Sequence, residues 1–117
     1  MGNGEIIKED PELVEKLTRA LARAVDFSIK EPDETFEIMK RVVPEQNQDE
    51  EVGRLFLDTF IDLSTPADSE KGYGYIYKDG WETLLQQFKE GDNPVVKNDI
   101  DLDKYLNTDF IESANDF

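Results

Sequence analysis

The stretch GYGYIYKDGWETLL, residues 72–85, concentrates the side chains of this sequence that could recognise a ligand. It holds three of the four tyrosines and the one tryptophan, set among three glycines. Aromatic rings beside glycines can form a flat platform near backbone amides, and such a platform suits a planar ligand. Tyr73, Tyr75 and Trp81 are therefore the candidate ligand-binding residues.

A structural role for the same rings competes with this interpretation. Trp81 shares the helical spacing of Leu84, Leu85 and Phe88, which favours a core position for the indole. For the tyrosines, a ligand platform and a cover over neighbouring helices are about equally supported. Both interpretations stay open at the level of the sequence.

The other chemistry-bearing residue types form no catalytic or metal-binding pattern. The chain has no cysteine and no histidine, which removes thiol and imidazole catalysis and zinc sites of the usual type. Asp99, Asp101 and Asp103 are spaced like the start of a calcium loop, but its sixth and twelfth positions are Lys104 and Phe110. We expect no enzyme activity, no metal site and no cofactor.

The charge of the chain limits its partners. Thirteen basic and 28 acidic residues give a formal net charge of −15. Such a charge repels nucleic acid and anionic lipid, so a nucleic-acid partner is not expected. No apolar run approaches about 18 residues, so direct insertion into a membrane is not expected either. Carboxylates spread over every segment favour a halophilic protein, adapted to high ionic strength.

The elements that must position these residues are helices. Asp10-Pro11 marks the start of a helix to about Lys30, and Pro32 starts a second helix that ends before Pro44. The inward side of the first helix is expected to hold Leu13, Val14, Leu17, Leu21, Ala24, Val25 and Ser28, and the buried side of the second to hold Phe36, Ile38, Met39, Val42 and Val43. Asn47 or Asp49 caps a third helix, which has the cleanest amphipathic pattern in the chain. Its apolar stripe consists of Val52, Leu55, Phe56, Thr59, Phe60 and Leu63.

The second half of the chain predicts shorter elements. A fourth helix starts at Asp79 or Gly80, with Trp81 inward, and stops at Gly91. A last short helix holds Leu102 and Tyr105. With no convincing strand, the fold class is mainly α: a small helical domain of four to five helices. We expect one domain over residues 10–112, a flexible N-terminal segment over 1–9 and a flexible tail over 113–117.

The order of these elements resembles one family of transport proteins. The residues that carry the resemblance are GEIIKEDPELVEKLTRALARAVDFSIKEPDETFEIM, VVPEQNQDEEV, GYGYIYKDGWETLLQQF and NDIDLDKYLNTDFI, which together span roughly Gly4 to Ile111. They resemble the C-terminal region of the solute-binding proteins of ABC importers. The branch they resemble groups receptors for thiamine pyrimidine precursors with sulfonate and taurine receptors.

This resemblance implies a fold and a function. The chain would correspond to the C-terminal part of a two-lobed α/β periplasmic-binding-protein-like fold, and it would act extracytoplasmically as part of a membrane-anchored receptor. A small organic solute would bind only together with the missing lobe, the full receptor would dock on an ABC permease, and the chain would be a monomer. The alternative is a stand-alone acidic helical protein-interaction module.

The charge leads to the first prediction. Like-charge repulsion weakens as the Debye length falls from about 10 Å at 0.1 M salt to about 3 Å at 1 M. The attractive pairs at i,i+4, such as Glu12–Lys16, contribute only tenths of a kcal/mol each. We therefore expect the melting temperature to rise steadily from low salt to molar KCl, and to rise on mild acidification toward pH 5. Flat or falling thermal stability over that salt range would remove the halophilic interpretation.

Overall fold

Six α-helices make up most of the computed structural model, which describes residues 4–47, 49–90 and 94–117. These described ranges contain no β-strand, so the expectation of a mainly α fold is confirmed. Short 3-10 helices span Pro44–Asn47 and Leu102–Lys104. The α-helices are α1 (Gly4–Glu9), α2 (Pro11–Lys30), α3 (Pro32–Val42), α4 (Glu50–Ser64), α5 (Lys78–Lys89) and α6 (Ile111–Ala114).

Local signals set the helix starts. The Asp10 side chain accepts a hydrogen bond from the Leu13 amide at 3.0 Å, and Pro11 occupies the first turn of α2, where a missing N–H costs nothing. Asp49 rather than Asn47 caps α4, because its Oδ1 accepts from the Val52 amide at 3.1 Å. The expected stop at Gly91 lies outside the described residues.

The chain divides into two compact units. Unit 1 contains α1 to α4, the loop up to Gly74 and the segment Phe110–Phe117 with α6. Unit 2 contains Tyr75–Asp109, and therefore α5 and the second 3-10 helix. The single domain expected over 10–112 stays a prediction.

The described residues near each end of the chain form helices. The segment 1–9 includes α1, which packs on α2. The expected tail begins in α6, where Ala114 is buried and the Ser113 carbonyl accepts from Arg19 Nε of α2 at 2.9 Å. The flexible N-terminal segment and the flexible tail expected from the sequence stay predictions.

A small core holds unit 1 together. α2 lies against α3, α4 and α6, and the buried apolar residues come from these four helices: Ala22, Phe36, Leu57 and Ala114. Phe36 is the largest and is fully buried, as the sequence predicted for α3. Val42 and Val43, assigned to the same buried side, are exposed, since α3 ends at Val42 and the chain leaves the core there.

α4 presents to this core a different side from the one that its pattern indicated. Gly53 and Leu57 are buried, while Val52, Phe56 and Leu63 are exposed. The same holds for α2, in which Ala22 is buried and the leucines assigned to the core, Leu13, Leu17 and Leu21, are exposed. The expectation that these apolar residues pack inward is therefore wrong.

The fold predicts a contrast between two leucines of α4. Leu57→Ala should cost about 2–5 kcal/mol of unfolding free energy, because Leu57 is 3% exposed and its removal leaves a cavity. Leu55→Ala is the matched control: the same change in the same helix, but 65% exposed, should cost under about 1 kcal/mol. Urea unfolding of dilute protein measures both. Equal losses would show that the inner side of α4 is assigned wrongly.

Candidate binding surface

The α4 face is an exposed stripe of large apolar side chains. Phe56 is 67% exposed and Leu63 is 83% exposed. The intervals of three and four residues between its members place them on one side of a helix that is 15 residues long. The α4 face consists of Val52, Leu55, Phe56, Phe60 and Leu63.

Three carboxylates follow one edge of the α4 face. Glu51, Asp58 and Asp62 are exposed, and at 100° per residue they fall beside Leu55 on the side away from the core. None of the three has a salt bridge to another described residue. The α4 face therefore combines apolar area with unpaired negative charge, which suits a partner that is apolar with a basic edge.

Phe36 and Arg54 fix the orientation of this face. The Arg54 guanidinium lies 4.6 Å from the centroid of the Phe36 ring, and Lys40 Nζ lies 5.2 Å from it, both in cation–π geometry. Arg54 also donates to Asp33 of α3 at 2.9 Å and to Glu50 at 3.2 Å. These hydrogen bonds raise the pKa of Arg54, so this cation keeps its charge and keeps α4 against α3.

A second apolar stripe, the α2 face, lies on α2. Leu13, Leu17 and Leu21 follow one another at intervals of four residues, and Phe27 lies six residues further on. At 100° per residue the four fall on a side about 120° wide of a helix that is 20 residues long. Its edge is basic: Lys16 and Arg23 are exposed beside it. Lys16 bonds to Glu12 at 2.6 Å, whereas Arg23 has no salt bridge within the described ranges. The α2 face consists of Leu13, Leu17, Leu21 and Phe27.

Tyr73 belongs to unit 1 and its polar groups already have partners. The phenol donates to Asp26 Oδ1 at 2.9 Å, and the backbone amide donates to Asn115 Oδ1 at 2.7 Å. Gly72, at a φ of 76°, allows this approach, because a Cβ there would lie 2.6 Å from the Asn115 side chain. The phenol of Tyr73 thus joins the loop to α2, and its backbone amide joins the loop to the end of α6.

Charge also stabilises this junction. Burial, together with the bond to Asp26, raises the pKa of Tyr73. A bond from Lys30, at 2.8 Å, and the bond from Tyr73 hold the pKa of Asp26 below its usual value. Within the described structure, Tyr73 therefore stabilises the packing of elements of unit 1 through its hydrogen bonds.

Tyr75 and Trp81 belong to unit 2. The Tyr75 ring meets the Tyr77 ring edge to face, with centroids 4.9 Å apart. Trp81 is 48% exposed, so the prediction that it faces a core is wrong. The reason is that α5 has only one short 3-10 helix beside it in this unit, and no described residue of unit 2 is fully buried. A ligand role for the three aromatic residues stays a prediction.

Unit 2 also contains an open groove of about 330 Å³ between α5 and the segment 100–103. Two salt bridges frame it: Lys78 with Asp103, and Lys89 with Asp99, the latter at 2.6 Å. The bond from Lys89 lowers the pKa of Asp99, and the bond to Asp103 raises the pKa of Lys78. Both cations are thus already neutralised, so the groove offers little charge to a ligand.

Two further site types are not found. Nowhere in the described ranges do three acidic side chains come together as a metal site would require. Asp101 instead accepts a hydrogen bond from the Asp103 amide at 3.2 Å and so caps the second 3-10 helix. None of the described helices combines the length and apolarity needed to cross a membrane.

The Tyr73–Asp26 bond predicts a pH-dependent effect. A depressed folded-state pKa means that Asp26 stabilises the fold above the ordinary carboxyl pKa of about 3.9, and less as pH falls below it. Tyr73→Phe removes the bond and should lower the urea midpoint at neutral pH, with a smaller difference at pH 3. Tyr105→Phe, at an exposed ring, is the control and should change neither value. A Tyr73→Phe difference that is absent, or equal at both pH values, would contradict the assignment.

Comparison of the chain with protein-family models, with curated proteins and with solved structures finds no match. The resemblance to ABC-importer receptors therefore stands only on the residues quoted for it. Among the described helices, α4 has the largest set of exposed apolar side chains on one side, so the functional inference rests on the α4 face.

Proposed function

We propose that this chain is an acidic helical protein-interaction module that binds a protein partner through the α4 face. The observation that carries the proposal is the exposure of five large apolar side chains on one side of a folded helix. Soluble monomers rarely expose contiguous apolar patches larger than a few hundred Å². Burying a large apolar side chain stabilises a complex by about 1.5–3 kcal/mol before the costs of association. A partner that covers the face would therefore gain a substantial apolar contribution.

The mode of recognition follows from the shape of the feature. An amphipathic helix that docks in a groove uses anchors spaced by three, four and seven residues. In the α4 face, Val52, Leu55 and Phe56 stand at i, i+3 and i+4. Phe56, Phe60 and Leu63 stand at i, i+4 and i+7, and the whole face covers roughly 17 Å of helix. The core supplies the rigidity, since Leu57 and Arg54 hold the opposite side of α4. Little ordering of α4 is then needed on binding, which limits its entropic cost.

A receptor role, the function expected from the resemblance, is the second candidate. In that role the α4 face would be covered by the rest of the receptor, and solute would need the missing lobe for an opposing wall. The helical content of the chain is compatible with this role but does not distinguish it from a module.

If the chain is part of a receptor, it should bind thiamine precursors or sulfonates weakly or not at all, because the opposing wall of the site is missing. Calorimetric titration measures this affinity. Micromolar affinity would contradict the expectation, because it would reveal a complete site.

Binding of a neutral apolar dye tests the proposed function. Nile red carries no charge, so the acidic surface does not repel it, and its fluorescence should rise with dilute wild-type protein. Phe56→Asp and Leu63→Asp should reduce that signal several-fold while helix content is unchanged, because both residues are exposed. Gln87→Asp adds the same charge at an exposed position of α5 and should leave the signal unchanged.

Two results would contradict the proposal. The first is a dye signal that does not depend on Phe56 and Leu63. The second is a large loss of folding stability in Phe56→Asp, which would mean that the α4 face is already covered within the chain. The dye experiment identifies the surface and leaves the identity of its partner to a separate measurement.

A further inference from the structure

We infer that the partner is a second copy of this chain, with the α2 face of each copy covering the α4 face of the other. The inference rests on the proposed function, because it names the partner of the α4 face. It replaces the monomer expected from the sequence with a twofold-symmetric dimer in which each pair of contacts occurs twice.

The charges at the edges of the two faces select this pairing. Two α4 faces in contact would bring Glu51, Asp58 and Asp62 against a second set of carboxylates. Two α2 faces in contact would bring Arg23, the cation of that edge with no salt bridge among the described residues, against the same cation of the second copy. Only the pairing of an α2 face with an α4 face brings opposite charges together, and complementary charges of this kind select partner and register.

The spacing of the charges also agrees. Lys16 and Arg23 are seven residues apart on α2, and Glu51 and Asp58 are seven residues apart on α4. Two helical turns separate the members of each pair, which is roughly 10 Å. When the two helices lie side by side and parallel, Arg23 can therefore meet Asp58, while Lys16, which is bonded to Glu12, lies opposite Glu51.

The apolar area is sufficient for a stable dimer. The two faces contain nine large apolar residues, whose exposed fractions range from 38% for Phe27 to 83% for Leu63. If a fully exposed residue of this size presents about 150–200 Å², the two faces expose on the order of 800–1,000 Å² per chain. A stable interface buries about 800 Å² on each partner.

Net charge opposes the association and makes it depend on salt. Two chains of −15 repel each other at long range, whereas the edge pairs act only at contact. Salt shortens the range of the repulsion more than it weakens the apolar contact. Dimerisation should therefore strengthen from low salt to molar KCl.

Sedimentation equilibrium of the full chain gives the direct test. A monomer–dimer equilibrium should appear in the micromolar range in molar KCl, with a Kd that increases on dilution of the salt. Phe56→Asp should raise the Kd by at least tenfold while helix content is retained. A chain that stays monomeric at high micromolar concentration in molar KCl overturns the inference.

A charge-swap pair tests which faces meet. Arg23→Glu places like charges opposite each other in both copies of its own dimer, as does Asp58→Lys. Each variant alone should dimerise about tenfold more weakly than wild type at moderate salt, where edge charges act. A mixture of the two variants restores opposite charges at both contacts, so the mixed dimer should form with close to wild-type affinity.

Arg41→Glu and Asp109→Lys are the matched controls, since they change the net charge equally at exposed positions outside both faces. Their mixture should show no preference for the mixed dimer beyond net-charge effects. If wild type forms a dimer and the Arg23→Glu and Asp58→Lys variants dimerise with the same Kd, the proposed pairing of faces is overturned. If the chain stays monomeric but its Nile red fluorescence depends on Phe56, the dimer is overturned and the proposed function stands. If the chain shows neither dimerisation nor Phe56-dependent fluorescence, the dimer and the proposed function are both rejected.

Discussion

The packing of Phe36 beneath Arg54 is the interaction on which the surface of unit 1 depends. Phe36 is the largest fully buried side chain, and Arg54 covers its ring while bonding to Asp33 of α3. With Arg54 and Leu57 facing the core, a helix of 100° per residue must turn Phe56 outward. The exposure of the α4 face is thus a direct consequence of how the core is built.

The small residues at the buried positions support the same conclusion. Ala22, Gly53 and Ala114 supply little apolar area, and Ser28 satisfies its hydroxyl through the Ala24 carbonyl at 2.8 Å. Large apolar side chains remain outside, in the α2 face and the α4 face. A fold that buries small residues beside Phe36 and Leu57, and leaves these two faces exposed, gains further apolar stabilisation when a partner covers them.

The sequence predicted what is determined locally. The limits of α2 at Pro11 and Lys30 follow from proline geometry and side-chain capping within a few residues, and the cap of α4 is Asp49, one of the two residues that the sequence offered. Periodicity also identified the apolar stripe of α4 correctly as one side of a helix. Periodicity could not predict whether this stripe faces the core or the solvent, because it contains no information about tertiary neighbours.

The remaining misses have the same origin. The contacts of Arg54 with Asp33 and of Tyr73 with Asp26 and Asn115 join residues far apart in sequence. No local pattern in the sequence marks them, and the positive φ of Gly72 beside Asn115 is a feature of the structure. Trp81 was assigned to a core from its phase with Leu84 and Phe88, but unit 2 has no second α-helix to cover it.

Hydroxyl-radical footprinting, read by mass spectrometry at single residues, tests the central claim most directly: that the α4 face is open in the folded monomer and covered by a partner chain. The account predicts that Phe56 and Leu63 react readily in dilute protein and become protected in concentrated protein in molar KCl. Phe36 and Leu57, which are buried in the chain itself, should be protected under both conditions. Protection of Phe56 and Leu63 already in the dilute, monomeric protein would contradict the account, because it would mean that the chain covers its own α4 face.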